Sequence, residues 1–339
     1  MKQIQFGIIG CGYIGTRHAK HIAANPFGIL NAAYDNRIDQ ANTFHKQFNN
    51  CKLATDLEAL LNINDIDVVN VCTPNGLHFE HALQVLKSGK HVVIEKPICL
   101  KSEEARQLIE LAKTNNLRIF VVKQNRYNAP VQALKQLIKE NRLGKLFMVS
   151  VNCFWNRNAE YYQRSDWKGK KDLDGGTLYT QFSHFIDIFY YLFGNIDQIS
   201  GCVTNANHEG LIEFEDTGSF TFTFNDHAIG SLNYTTTSYE KNMEGSITVF
   251  AENATIKLGG QYLNKLEYQR TAGFDITNLP EEGPANDYGY YQGSMSNHDK
   301  VIQNVIETLN GNDEVMTSAE DGMCVVDIIE RMYAAAKRV

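Results

Sequence analysis

Ile4-Gln5-Phe6-Gly7-Ile8-Ile9-Gly10-Cys11-Gly12-Tyr13-Ile14-Gly15 decides the fold. A short apolar strand runs into three glycines spaced Gly-x-Gly-x-x-Gly, and a helical pattern begins at Ile14. Gly10 permits the tight turn, Gly12 lets a pyrophosphate approach the backbone, and Gly15 lets helix and strand pack closely. A pyrophosphate placed there meets the unpaired N–H groups of the helix start. Asp35 closes the second strand, twenty residues on from position 15, where a carboxylate accepts hydrogen bonds from ribose hydroxyls. It repels a 2′-phosphate, which favours NAD over NADP as cofactor. Gly10, Cys11, Gly12, Tyr13, Ile14, Gly15, Asp35 and Asn36 are the expected adenosine and pyrophosphate contacts.

Outward from this turn, apolar strands at 4–9, 31–34, 68–72, 91–94 and 118–122 alternate with helical stretches at 14–24, 57–61, 78–88 and 102–114. Strand and helix in alternation, with apolar runs buried on both faces, predict a doubly wound parallel sheet. After residue 145 the period changes. Strands are expected at 146–155, 199–205, 218–225, 229–237 and 246–258, and helices at 176–193, 297–309 and 319–337. In Ser219-Phe220-Thr221-Phe222-Thr223-Phe224 three phenylalanines share one face, the period-2 pattern of a sheet covered on one side. Asn225-Asp226 reads as a hairpin turn, and 272–296 as a long loop. The expected fold is therefore an α/β Rossmann domain (1–124) followed by an α+β domain with an open, largely antiparallel sheet (125–339).

Composition narrows the partners. The 339 residues are 43% apolar and 21% charged, with a net charge of -7. No basic stripe is present to neutralise phosphates, so no nucleic-acid partner is expected. No apolar run is long enough to span a membrane and no secretory leader is apparent, so a cytoplasmic location is expected. The seven cysteines include no CxxC pair, and the odd count argues against a full disulfide framework. The histidines form no HExxH and no close Cys/His cluster, so no metal is expected. His18 and His21 read as ordinary residues of a helix surface.

Strand carboxyl ends bind ligands in open α/β sheets. The fourth strand ends in Thr73-Pro74-Asn75 with His78 beyond, expected to line the nicotinamide side, though His78 also suits a local bond at a helix start. The fifth ends in Glu95-Lys96-Pro97. A charged pair directly after a buried strand is costly unless it points into a cleft or is paired. Pro97 fixes the backbone at Lys96.

The 10–15 glycine turn, the 73–97 stretch ending Glu95-Lys96-Pro97, and the change to an antiparallel sheet together resemble the Gfo/Idh/MocA oxidoreductase family, over nearly the whole chain. The resemblance implies that Lys96 takes part in proton transfer and holds the reacting hydroxyl. It implies the family histidine's role for His184, in Thr180-Gln181-Phe182-Ser183-His184. Thr180 stands where the family has an aspartate, so it contacts substrate without acting as a carboxylate base. Asp187 either orients the His184 imidazole or serves in a cap or surface pair. Glu95, Gln124 and Trp167 complete the expected cofactor contacts.

Aromatic and cationic residues alternate through Arg126-Tyr127, Arg157, Tyr161-Tyr162, Asp166-Trp167-Lys168 and on to Asp174-Gly175-Gly176. Tyrosine and tryptophan stack on a sugar or uracil, while arginine and lysine suit a carboxylate or diphosphate. Arg126, Tyr127, Arg157, Tyr161, Trp167, Lys168 and Thr180 are thus the expected substrate contacts, beside Lys96 and His184. The combination resembles one branch of the family, which oxidises the 3-hydroxyl of UDP-linked N-acetylamino-uronic acids. That branch implies a ketone product passed to an aminotransferase, a role in surface-polysaccharide (lipopolysaccharide) synthesis, and a homo-oligomer, dimer or tetramer. The rival readings are a polyol, inositol or free-sugar dehydrogenase, and a dinucleotide-sensing regulatory protein.

Overall fold

A computed structural model describes residues 1–280, 283, 285–287, 289 and 291–339. The N-terminal part alternates β1 (Ile4–Ile9), α1 (Tyr13–Ala24), β2 (Gly28–Tyr34), α2 (Ile38–Gln47), β3 (Lys52–Leu53), α3 (Leu57–Leu61), β4 (Val68–Val71), α4 (His78–Lys87), β5 (His91–Ile94), α5 (Ser102–Thr114) and β6 (Ile119–Val121). Next come α6 (Ala129–Lys139), β7 (Leu146–Phe154), α7 (Ala159–Gln163) and α8 (Ser183–Phe193), the last entered through a π turn at Leu178–Phe182. The strands β8 (Ile196–Thr204), β9 (Thr217–Phe224), β10 (Ile229–Thr235), β11 (Glu244–Ala251), β12 (Ala254–Gly259), β13 (Lys265–Thr271), β14 (Ala285–Asp287) and β15 (Gln292–Met295) follow. The chain closes with α9 (His298–Leu309), α10 (Ala319–Ala335) and β16 (Ala336–Arg338).

Two compact units result. Met1–Lys123 and His298–Val326 form the first, Gln124–Asn297 and Asp327–Val339 the second. This division differs from two contiguous domains, 1–124 and 125–339, because α9 and the start of α10 return to the first unit. Gln303 on α9 accepts from Asn25 at 2.6 Å, and Asn310 accepts from the Lys2 backbone N–H at 2.7 Å. The Val121 N–H donates to Thr317. Gly322 on α10 lies so close to Val121 and Ile98 that a Cβ there would be 3.0 Å from Val121 Cγ2.

The first unit's sheet is wholly parallel, in the order β3-β2-β1-β4-β5-β6. Its central strands are buried on both faces, as their unbroken apolar runs require. The strand order reverses between β1 and β4, and such a switch point is where ligands bind in these sheets. Sequence periodicity missed α2 and β3. The helix α2 has only two buried residues, Ala41 and Phe44, too few to show as an apolar stripe.

The second unit's sheet runs β13-β12-β11-β7-β10-β9-β8-β16, with β10–β7 and β16–β8 parallel and the remaining pairs antiparallel. Phe220, Phe222 and Phe224 are buried on one face of β9, each contributing about 1.5–3 kcal/mol. The strand expected over 246–258 is in fact two, β11 and β12, folded back on each other. The stretch 272–296 is not wholly loop, since β14 pairs with β15; its residues 281, 282, 284, 288 and 290 lie outside the described residues. The helix expected over 319–337 stops at Ala335 and continues as β16. Near it, Tyr333 and Tyr234 donate to the buried Glu215 carboxylate at 2.7 and 3.1 Å, and burial pushes that carboxyl up to about 7. Among the described residues no helix is long and apolar enough to cross a membrane.

Candidate active site

In the first unit the glycine turn has the shape that the sequence demands. Gly10 has φ +95°, and a Cβ there would lie 2.6 Å from the Cys72 carbonyl oxygen. A Cβ on Gly15 would collide with the Gly10 carbonyl oxygen. Gly12 is different: nothing lies within 4 Å of where its Cβ would be. No side chain caps the start of α1, so the helix offers N–H groups beside open space, which fits a pyrophosphate. Tyr13 is exposed and Ile14 half-buried at the same turn.

Asp35 accepts from the Cys11 N–H at 2.8 Å and the Arg37 N–H at 2.9 Å, which fixes the carboxylate at the end of β2. Two carboxylate oxygens have capacity for further donors, so the residue fits a ribose diol. The Arg37 guanidinium, 3.7 Å away and mostly exposed, is engaged with Asp35 itself. Asn36 is exposed beside it. Burial, with Asp35 adding, pushes the Cys11 thiol up to about 12, so it is an inert wall. Gly12→Ala is therefore expected to leave thermal unfolding nearly unchanged while weakening NADH binding by about tenfold or more. Fluorescence titration with NADH measures this, and unaltered affinity refutes the placement of the pyrophosphate.

Beyond β4, Thr73 bonds His81 at 3.0 Å, Pro74 leads a short 3-10 turn, and Asn75 is buried within it. Of the two readings of His78, the structure shows local bonds at the helix start. The residue is fully buried, with Nδ1 2.6 Å from the Pro97 carbonyl and Nε2 2.9 Å from that of Thr73. Both ring nitrogens lie against backbone carbonyls at the ends of two strands. The Lys96–Pro97 peptide is cis, and Lys96 is half-buried.

Glu95 departs from expectation. Its side chain is buried against His18, Nε2 at 2.8 Å, and His298, Nε2 at 3.6 Å, and accepts the Lys96 N–H at 3.2 Å. Burial favours the neutral acid, but His18 and His298 outweigh it and hold the carboxyl well below the usual range. Asn70 bonds the other His18 nitrogen at 2.7 Å. His18 is thus a core residue rather than a helix-surface one. His298 comes from α9, far along the chain, and no local pattern announced it; burial lowers its imidazole to about 4. By donor type the three residues suit a divalent metal, and their ligand atoms lie within 4.8 Å of one another. The 2.8 Å contact is nevertheless that of a hydrogen bond.

In the second unit the π turn organises the polar residues. Thr180 donates to the Asp174 carboxylate, whose other oxygen accepts the Gly169 N–H at 2.7 Å. Gln181 accepts from Arg157 Nε at 2.8 Å and donates to the Tyr161 hydroxyl at 2.7 Å. His184, one turn on, is buried. A π turn inserted before a helix recurs at functional sites. Arg157 is 2% exposed and, among the described residues, makes no ion pair. Its guanidinium faces the rings of Trp155, Tyr161 and Tyr291 at 5.0–5.2 Å. Lys168 Nζ lies 3.8 Å from the Tyr161 ring centre. Trp167 and Tyr127 are half-buried. Sequence reading quoted Asp174 without assigning it a task, and missed Gln181 and Tyr291.

Arg126 does not match its expected role as a receptor for substrate anions. It forms a two-pronged pair with Asp187, at 2.9 and 2.7 Å, both side chains buried, with the Tyr191 ring 4.6 Å from the guanidinium. Asp187 therefore holds Arg126. Gln124 is buried and donates to Ser294 at 2.8 Å.

Residues 4–123 match the family model described as "Oxidoreductase family, NAD-binding Rossmann fold", and residues 131–257 the "GFO/IDH/MocA C-terminal domain". The structure resembles the WlbA dehydrogenase of Bordetella pertussis in complex with NADH and UDP-GlcNAcA, with 30% identity and TM-score 0.89 over 98% of this chain and 95% of that one. The corresponding complex from Chromobacterium violaceum gives 28% identity and TM-score 0.88 over 99% and 94%. Glucose-6-phosphate 3-dehydrogenase of Bacillus subtilis is 34% identical over 57% of this chain, which spans only 54% of that protein. The chain belongs to the Gfo/Idh/MocA family and is an NAD-dependent oxidoreductase.

Proposed function

We propose that this chain oxidises the 3-hydroxyl of a UDP-linked N-acetylamino-uronic acid (UDP-GlcNAcA) to the 3-keto sugar. The observation that carries this reading is Arg157, a buried guanidinium with no internal counter-charge among the described residues, walled by Trp155, Tyr161 and Tyr291. Its hydrogen bonds run to neutral acceptors, Gln181, the Asn156 carbonyl and Asn242, so a carboxylate or diphosphate supplies the missing counter-charge while the rings hold sugar or base. The likeness to two enzymes solved with NADH and UDP-GlcNAcA supports the same substrate, and the glucose-6-phosphate 3-dehydrogenase supports the position of attack.

NAD, when bound, accepts the hydride released from carbon 3. Lys96 takes the hydroxyl proton as that bond breaks, and His184 hydrogen-bonds the same oxygen and positions it. Tyr127, Trp167 and Lys168 line the sugar and its anionic groups. Asn75 and Gln124 stand on the cofactor side. The ketone then suits an aminotransferase in surface-polysaccharide synthesis, placed in the cytoplasm. A homo-oligomer is favoured by a row of exposed apolar residues in register across three strands, Ile229, Met148 and Phe250.

The test is NAD reduction with UDP-GlcNAcA beside myo-inositol and glucose. Turnover of the UDP-linked uronate far above the others is expected, and activity on free polyols alone overturns the assignment.

A further inference from the structure

We propose that His208, held by Asp216 with a proton on each ring nitrogen, is a positioning residue that aims Arg157 at the substrate's anionic group. The inference rests on the reading of Arg157 above and concerns how that side chain is held.

The His208 ring lies between two oxygens, with Nδ1 2.9 Å from the Asp216 carboxylate and Nε2 2.7 Å from the Arg157 carbonyl. A neutral imidazole has one N–H, so its other nitrogen would turn a lone pair on one of these oxygens. Asp216 has no proton to give. Its carboxylate accepts the Ala206 and Asn207 N–H groups at 2.9 and 2.8 Å and the Thr217 hydroxyl at 2.8 Å. Burial favours the acid, but His208 and these donors outweigh it and hold the carboxyl at about 2. His208 is therefore an imidazolium that donates to both oxygens. Both side chains are buried, and the Tyr162 ring packs edge-on against the imidazole, 5.3 Å between ring centres.

Both hydrogen bonds of the Arg157 backbone lead back to Asp216. The carbonyl is held through His208. The N–H donates to the Thr236 carbonyl at 2.8 Å, and the Thr236 N–H donates to the Asp216 carbonyl at 2.8 Å. The guanidinium follows this backbone, because Nη1 donates to the carbonyl of the preceding residue, Asn156, at 2.6 Å. Nε is taken by Gln181 at 2.8 Å, and Nη1 also reaches Asn242 at 3.2 Å. Nη2 makes no hydrogen bond among the described residues, so it is the arm that meets the anion. Charge-assisted bonds are about twice as strong as neutral ones. The clamp from Asp216 through His208 to the Arg157 carbonyl is of that kind at both joints.

Two substitutions separate the two ends of the ring. An asparagine amide nitrogen stands near the place of Nδ1, and a glutamine amide nitrogen near that of Nε2. His208→Asn therefore keeps the bond to Asp216 and drops the one to Arg157, whereas His208→Gln keeps a donor on the Arg157 carbonyl. We expect His208→Asn to raise the KM for UDP-GlcNAcA about tenfold, with kcat changed by less than about twofold and NADH affinity unaltered. His208→Gln is expected to retain most of the sugar affinity. In an Arg157→Met background His208→Asn is expected to add less than about twofold, since no guanidinium is left to aim. Equal losses in the Asn and Gln variants, or an undiminished effect of His208→Asn in that background, overturn the proposal and make His208 merely structural. Nitrogen NMR of the histidine-labelled protein at the assay pH tests the clamp without any sugar. The His208 signals, assigned by their loss in either variant, are expected to show two protonated nitrogens, and one bare nitrogen overturns the proposal. Arg157→Met with an unchanged KM ends the reading of Arg157 and the positioning role together. A raised KM there, with none in His208→Asn, tells against His208 alone. An unaltered enzyme that does not oxidise UDP-GlcNAcA tells against the substrate assignment, and the NMR measurement then decides on His208.

Discussion

Lys96→Met is expected to lower turnover by about 10²–10⁴-fold, the usual worth of a positioned acid or base, while NADH binds as before. Methionine keeps the unbranched stem and removes only the group that holds a proton. The half-buried position of Lys96, immediately after a buried strand, makes the swap tolerable for folding. The backbone there is secured independently, by the Lys96 N–H on Glu95 and by the cluster of His18 and His298 behind it. Steady-state kcat with a saturating sugar, beside an NADH titration, separates chemistry from binding. Near-normal turnover with NAD bound ends the assignment of Lys96 as the proton acceptor.

The second large effect concerns stability. Asp187→Asn is expected to destabilise the protein by about 3–5 kcal/mol, because it leaves the Arg126 guanidinium buried without its counter-charge. Both side chains are almost wholly shielded, and the pair is two-pronged, so solvent offers little compensation. The Tyr191 ring beside the guanidinium recovers only a fraction of this. Urea unfolding measures the loss. Replacing both partners, Arg126→Met with Asp187→Leu, is expected to restore much of it, since no buried charge remains. The measurement also judges the earlier expectation for Arg126: were it a receptor for substrate anions, Asp187→Asn would tighten substrate binding instead of loosening the fold.

The fold was legible where sequence pattern and burial coincide. The strands at Ile4–Ile9 and His91–Ile94 and the helix Ser102–Thr114 have the bounds that periodicity assigns. The cofactor turn was equally legible, because three glycines and one aspartate each answer to a separate steric or electrostatic demand. What periodicity cannot show is a partnership across distance. His18, Glu95 and His298 meet only because α9 returns to the first unit. In the sequence Arg126 reads as a substrate contact and Asp187 as a support for His184 or a cap, until the fold buries the two together. Asp174 gives no signal in the chain beyond its two glycine neighbours. Motif reading names residue types at a site, and the hydrogen-bond partners decide which of them remain available to a ligand.

The return of His298–Val326 to the first unit has a consequence for synthesis. Chains emerge from the ribosome N-terminal end first, and domains tend to fold as units in that order. Here the cofactor-binding unit lacks α9 and the start of α10 until Gln124–Asn297, most of the second unit, has been made. Until then Glu95 has His18 beside it but not His298, and the end of the β6 strand lacks its bond to Thr317. The nascent parallel sheet must therefore wait, partly uncovered, through the synthesis of Gln124–Asn297, and only the emergence of His298–Val326 completes the first unit.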